Sequence, residues 1–498
     1  MVFENSNDNT LSSSSNSSSS TIKSLNIQWN PYQHKSKPKK KSNNPCTTCC
    51  RRSKPTPQSI TNETNSEDQT NTSSISSSSV HVYEGSFRST QASILPPETS
   101  ECKFLMVVPE NAPDMWRPWL PNSTTIVTPV SLANSETTKS SIRNRKEKSS
   151  AADKDTNVNS ASSLASATYN KVLFWLPATG EQSYSERLKL ASILANEQQC
   201  ISLIIMAPFY ASRKENGQKG ASVSTVGYYL SQSLAIMTEA AALVLWINEL
   251  YTNATSNSEK LKNRLHICLT GFSWGAAMSG CAAILSSIAL ATPPSLPSQN
   301  TPKISVIPYV GSTSPAPVVD GILSGDIAWT KLTEQGKSIV PQIDREKVKG
   351  MTDEIIKGME QNNSIYIRKG LLILLQEFNN DYFLQKIVLR YKQVLGSNLT
   401  GTAQDLNKIK LFYSLCSCCA KNDWFLGSQY SNQLHLQLAP LVYSEASSST
   451  ESNNTSSPTS ASDKKPYVQQ IWLDGGHVYA YVHRQAYQLD ALRSVLEL

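Results

Sequence analysis

The sequence predicts an α/β fold, a mostly parallel central sheet with helices on both faces, and three observations carry that prediction. Strand-length apolar runs alternate with helical stretches along the chain, which favours parallel strands covered on both sides. Only 39% of the 498 residues are hydrophobic, so a substantial part of the length lies outside any core. The deficit is concentrated in Ser- and Asn-rich tracts, and removing them leaves one continuous alternating body. At roughly 150 residues per domain the length would suggest about three domains. The tracts reduce this to one domain over residues 80–498, preceded by a tail over 1–79.

The elements follow in order. Residues 1–79, with serine runs at 12–20 and 76–79, hold too little apolar surface to offset their ordering entropy and are predicted to be disordered. Residues 104–108 (FLMVV) and Lys171–Leu176 (KVLFWL) read as strands. The polar tract at about 121–168 between them is a surface insert, tolerated because loop-closure cost grows only logarithmically with length. Residues 185–197 have helical spacing, Ile201–Met206 (ISLIIM) is a strand, and 230–251 a long helix. A strand at 265–270 (LHICLT) is followed by a helix of small residues at 274–288. Residues 304–309, 409–415 and 468–473 supply later strands, and 479–496 a last helix. The stretch 326–407 is helical, long for a crossover, and reads as a cap-like insertion; 445–465 is a second polar insert.

Charge argues about partners. Lys plus Arg is 46 against 39 acids, a net +7, and eight of the bases (Lys35, Lys37, Lys39, Lys40, Lys41, Arg51, Arg52, Lys54) lie together with no acid among them. Without that run the remainder carries −1, so no nucleic-acid partner is expected. The run itself reads as a solvated linker, with weak contact to an anionic membrane as a further use. The first ten residues hold two acids and no apolar run behind them, so neither a secretory signal nor an Arg-rich transit peptide is expected. The expected location is intracellular, cytoplasmic or mitochondrial. The most apolar helical stretch, 233–250, carries Glu239 near its middle and reads as a core helix rather than a membrane span. The ten cysteines include Cys46, Cys49, Cys50 and Cys416, Cys418, Cys419; without a second ligand pair at zinc-finger spacing they read as free thiols, and no metal or cofactor is expected.

One motif carries chemistry. Gly271-Phe272-Ser273-Trp274-Gly275 falls directly after a strand and before a helix, the setting of a nucleophile elbow. The nucleophile there sits on a strained turn, the flanking glycines relieve crowding, and Ala276, Ala277, Ser279 and Gly280 let the next helix approach the sheet. The same pattern also suits an ordinary glycine-rich turn. A serine nucleophile needs a base, and there are six histidines. His34 and His81 precede the core, His266 lies inside a strand, and His435 and His483 lie on helices. His477, in Leu473-Asp474-Gly475-Gly476-His477, lies where a late strand ends, and is the candidate base. Asp423, on the loop after another late strand, is the favoured acid; Asp320 and Asp326 compete, and Asp474 is so close to His477 in sequence that it faces elsewhere. The oxyanion hole takes the Trp274 backbone N–H and one from the loop after residue 176, at Ala178 or Thr179.

In these residues the chain resembles the alpha/beta hydrolase domain-containing protein 18 family. The segments that match in order are Val82-Tyr83-Glu84-Gly85-Ser86-Phe87, the loop 176–181, Ala207-Pro208-Phe209-Tyr210 with Arg213 and Lys214, and the helix 235–247. The elbow, Gly321-Ile322-Leu323-Ser324 with Trp329, residues 420–426 and finally 473–481 (LDGGHVYAY), the most specific, complete the set. The resemblance implies an alpha/beta-hydrolase fold, a serine hydrolase with Ser273, Asp423 and His477 as triad, and an acyl-lipid ester substrate, with a mitochondrial phospholipid such as cardiolipin as the specific suggestion. The chain departs at Ala276, where the family usually has a second glycine, and at Trp274, which replaces a slimmer residue and narrows the acyl pocket. Pro177 and Ala178 precede Thr179-Gly180, and the Ser/Asn inserts are additions. The competing reading is a non-catalytic member that uses the fold for binding or scaffolding.

Overall fold

The computed structural model describes residues 25–31, 80–110, 112, 125–127, 170–218, 220, 226–255, 264–290, 301–313, 350–376, 411–442 and 467–497. The run from Lys35 to Lys54, Cys46, Cys49, Cys50, His34, Asp320, Asp326 and the tract 445–465 lie outside the described residues. In chain order the strands are β1 (Gln28–Pro31), β2 (Val80–Arg88), β3 (Glu101–Pro109), β4 (Thr125–Val127), β5 (Lys171–Leu176), β6 (Ile201–Met206), β7 (His266–Phe272), β8 (Lys303–Tyr309), β9 (Ser414–Ala420) and β10 (Tyr467–Leu473). The helices are α1 (Ser185–Gln198), α2 (Val226–Thr255), α3 (Trp274–Leu290), α4 (Asp353–Glu360), α5 (Ser364–Gln376), α6 (Ser428–Leu438), α7 (His477–His483) and α8 (Gln485–Leu496).

All ten strands form one sheet, ordered β1-β2-β3-β6-β5-β7-β8-β9-β10, with β4 beside β1 on the outer edge of β2. From β6 to β10 every pairing is parallel; β1 to β3 run antiparallel, and β3 joins β6 antiparallel. Successive strand residues face opposite layers. Phe174, Leu203, Leu269 and Val306 bury against α2 and α3, while Leu173, Ile204, Cys268 and Ile307 bury against α1 and α8. Each such side chain contributes about 1.5–3 kcal/mol on burial, which is why these strands read as continuous apolar runs.

Helix α2 is long and apolar enough to cross a membrane by length and composition over Tyr228–Thr255, yet 72% of its most apolar window is buried inside the protein. Glu239, at its middle, is fully buried and holds Arg213 by two bonds of 2.8 Å. Arg213 also donates to the carbonyls of Thr99 and Met206, so all its donors are used. The helix is therefore a core element pinned to the loop after β6.

Several expectations need correction. Residues 28–31 fall in the segment expected to be disordered, yet they form β1. Its Trp29 packs edge-on against Phe104 at 5.8 Å and Tyr83 at 6.3 Å, an apolar anchor isolated in polar sequence. Likewise 125–127, inside the expected insert, form β4. The strand expected at 409–415 lies instead at Ser414–Ala420. Phe412 only bridges to Val442, while the small Ser and Cys residues that follow pair with β8 and β10 and are buried throughout. The single helix expected at 479–496 is two, because the Arg484 carbonyl accepts a hydrogen bond of 2.7 Å from the buried Tyr309 hydroxyl where the chain turns. Within the cap-like stretch 326–407, α4 and α5 are described, and they pack on each other through Gly358 against Tyr366 and Gly370 against Met359.

Candidate active site

The C-terminal ends of the parallel strands position every candidate side chain. Ser273 follows β7 and precedes α3, and its backbone is left-handed at φ 56°. A side chain other than glycine pays about 1–2 kcal/mol for that conformation, so its surroundings must hold it. The Ser273 N–H donates to the Tyr309 carbonyl at the end of β8 (3.0 Å), and the Ser273 carbonyl accepts from Ala276 N–H (3.0 Å) in the first turn of α3. The flanking glycines are steric necessities. A Cβ on Gly271 would collide with the Gly275 carbonyl. One on Gly275 would stand 2.6 Å from the Pro177 carbonyl oxygen and 2.8 Å from that of Leu176. The elbow thus packs directly on the loop after β5.

The candidate base and acid come from neighbouring strands. His477 opens α7 after β10, and Asp423 lies beyond β9; both are buried. His477 Nδ1 lies 2.9 Å from Asp423 Oδ2. An ionised carboxylate only accepts, so Nδ1 carries the proton and Nε2 keeps its lone pair. The other oxygen, Oδ1, accepts from the backbone N–H groups of Phe425 (3.1 Å) and Leu426 (3.0 Å), which fixes the carboxylate. Phe425 stacks on the imidazole with 7° between planes and centroids 4.9 Å apart, and Phe272, next to the nucleophile, packs on it at 4.8 Å. Asp474 points away, exposed and paired with Lys421.

The loop after β5 distinguishes the two oxyanion candidates. Ala178 N–H is donated to the Glu181 carboxylate (3.0 Å), which removes Ala178 as a donor to substrate and leaves Thr179. Glu181 is held by Arg187 (2.8 Å), whose guanidinium also donates to the Trp175 and Ile205 carbonyls. Sequence reading missed this Glu181–Arg187 brace; a charged residue on the buried face of α1 was its available signal. The Trp274 N–H opens α3 and so has no acceptor within its own helix. The remaining histidines lie elsewhere: His266 bonds Ser305, His435 bonds Ser417, and His483 packs on Tyr479, while His81 lies on β2. Among the described residues no group of three or more His, Cys, Asp or Glu could hold a metal ion, and the seven described cysteines form no disulfide and are buried.

No curated protein matches the chain. Among solved structures it is similar to acetyl xylan esterase 1 from a Thermoanaerobacterium species, with 10% identity over 84% of this chain and 83% of that one, and a TM-score of 0.36. It is also similar to an esterase from Pyrobaculum calidifontis (9% identity, 84% and 83% covered, TM-score 0.34). A third is a rice-cell-wall-degrading esterase from Xanthomonas oryzae (10%, 83% and 89%, 0.32). The family model for alpha/beta hydrolase domain containing 18 matches residues 160–498, from β5 through Ser273, Asp423 and His477 to the last helix. The chain therefore belongs to the alpha/beta hydrolase domain containing 18 family and has the alpha/beta-hydrolase fold.

Proposed function

We propose that the protein is a serine hydrolase that cleaves a carboxylic ester of an acyl lipid through an acyl-enzyme on Ser273. The observation that carries this reading is the bond between His477 and Asp423, with the second carboxylate oxygen pinned by two backbone N–H groups. A helix-capping histidine or a turn serine needs no such support. In the reaction His477 Nε2 takes the Ser273 proton as Oγ attacks the carbonyl carbon. The Trp274 and Thr179 N–H groups hold the developing oxyanion, and the alkoxide leaves with the proton from His477. Water, deprotonated by the same nitrogen, then attacks the acyl-enzyme, and Ser273 leaves reprotonated with release of the acid. The family supports a hydrolase of ester type; a phospholipid such as cardiolipin is the narrower proposal, and Trp274 beside the nucleophile restricts the acyl groups that fit. We further propose weak docking on anionic membrane through the run from Lys35 to Lys54, which vesicle binding insensitive to deletion of residues 35–54 would eliminate.

A fluorophosphonate probe tests the central reading. Wild type is expected to be labelled, and Ser273→Ala is not. A folded wild-type protein that resists labelling at micromolar probe would favour the scaffold reading instead.

A further inference from the structure

Beside the elbow lies a group of polar atoms shut off from solvent and without a hydrogen-bond partner among the described residues: Trp274 Nε1, Tyr229 Oη, Gln232 Oε1 and Thr179 Oγ1. They share one neighbourhood. The Trp274 ring lies 6.4 Å from the rings of both Tyr229 and Tyr210. The Tyr210 hydroxyl meets the Gly180 backbone, next to Thr179, and the side chain of Gln232. Burial, with Tyr210 close by, pushes the Tyr229 hydroxyl well above its ordinary range, so it stays a neutral donor. The Gln232 amide nitrogen is spent on the Pro208 carbonyl, which leaves its oxygen as the free acceptor. Two of the four residues, Trp274 and Thr179, are also those whose backbone N–H groups face the developing oxyanion in the mechanism above.

An unsatisfied polar atom in a closed interior is costly, and native structures hold few of them. Four together at the nucleophile call for a ligand. We propose that they form a substrate subsite for a neutral oxygen-bearing group, a hydroxyl or second ester oxygen, carried close to the scissile carbonyl. Three donors and one acceptor match a hydroxyl, which gives its proton to Gln232 Oε1 and accepts from the donors, whereas an ester oxygen would answer the donors alone. A phosphate fits poorly, because both buried guanidiniums of this region already face a carboxylate, Arg213 that of Glu239 and Arg187 that of Glu181, and only Arg187 Nη2 is left unpaired. A plain methylene chain would leave every one of the four atoms unpaired, so sites of this kind discriminate strongly against it. The favoured substrate is thus a polyol ester, oxygenated on the alcohol side, or a hydroxylated acid, oxygenated on the acyl side. The proposal rests on the serine-hydrolase reading.

The test compares kcat/KM of the full chain for ethyl butyrate, 2-hydroxyethyl butyrate and ethyl 3-hydroxybutyrate, with fluorophosphonate labelling in parallel. Wild type is expected to favour one oxygenated ester at least about tenfold over ethyl butyrate, and which one identifies the side that enters the subsite. Tyr229→Phe and Thr179→Val each draw that ratio toward one, a change that general loss of packing would not produce because it lowers both rates alike. Wild type that labels at Ser273 but treats the three esters equally overturns the subsite and leaves the hydrolase standing. Full preference retained in both variants overturns it as well. A folded protein that neither labels nor turns over any ester removes both readings together.

Discussion

Helix α2 carries two buried polar groups about two turns apart, and the molecule treats them in opposite ways. At Glu239 every demand is met internally: both carboxylate oxygens hold Arg213, whose remaining donors go to Thr99 and Met206. At Tyr229 and Gln232, toward the start of the same helix, a hydroxyl and an amide oxygen are equally buried and left open. The first arrangement fixes where the loop after β6 sits against the helix, and nothing outside the chain is needed to complete it. The second borders Trp274, beside the candidate nucleophile Ser273. The polarity at Glu239 is thus closed within the chain, whereas that at Tyr229 and Gln232 is the part the proposed subsite leaves to be closed by a substrate.

The largest expected effect comes from opening the closed group. Glu239→Leu strands a buried guanidinium and is expected to cost about 3–5 kcal/mol in urea unfolding, while Arg213→Met combined with Glu239→Leu recovers most of the loss. A single variant within about 1 kcal/mol of wild type would end the distinction between the two clusters.

A third buried polar group lies between these extremes. His266 is satisfied by Ser305, which in turn accepts from Ser414, but only while its ring is neutral. Burial, with Lys303 and Lys171 nearby, depresses it from 6.5 to about 3. The folded state therefore binds the proton less readily than the unfolded chain. The resulting stability is fully present above pH 6.5 and is lost as pH falls from there toward 3. Between pH 7 and pH 5 this residue alone is expected to remove about 2 kcal/mol, read as a falling urea midpoint that is flatter in His266→Gln. An equal slope in both proteins would assign the acid sensitivity elsewhere.

Opening the already open group has the opposite sign. Tyr229→Phe deletes a hydroxyl that has no partner, so without substrate the stability is expected to hold or to rise by up to about 1 kcal/mol. A loss of more than about 1 kcal/mol in thermal unfolding would show that the hydroxyl is structural, and would remove the ground for a substrate subsite.

What could be read in the sequence followed the same division between local and non-local causes. The elbow was legible because its requirements are local: two glycines, a serine and the small residues of α3 lie in consecutive positions. The strands β5 to β8 were legible because burial on both faces forces continuous apolar runs. Strand β9 starts later than the apolar run at 409–415 suggests, because pairing to two parallel neighbours, and not apolar content, makes Ser-Leu-Cys-Ser-Cys-Cys-Ala the strand. The break between α7 and α8 carries no glycine or proline and comes from Tyr309, far away in sequence. The loss of Ala178 as an oxyanion donor depended on the Glu181 side chain folding back onto its own loop. The open polar cluster joins three separate segments, and no single stretch of sequence announces it.

The smallest expected effect isolates environment from geometry. Lys421 and Asp474 form an ion pair of 2.8 Å, the same length as that between Arg213 and Glu239, and it lies on the two loops that carry Asp423 and His477. Its side chains are 51% and 74% exposed, against 0% for both members of the buried pair. The Lys421 ammonium holds the Asp474 carboxyl below its ordinary range, but water can replace that partner at little cost. Asp474→Asn is therefore expected to leave the urea midpoint unchanged, with fluorophosphonate labelling of Ser273 at the wild-type rate. A clear loss of labelling would mean that the pair holds the acid and base loops in register, and equal bond lengths would then carry equal weight at the surface and in the core.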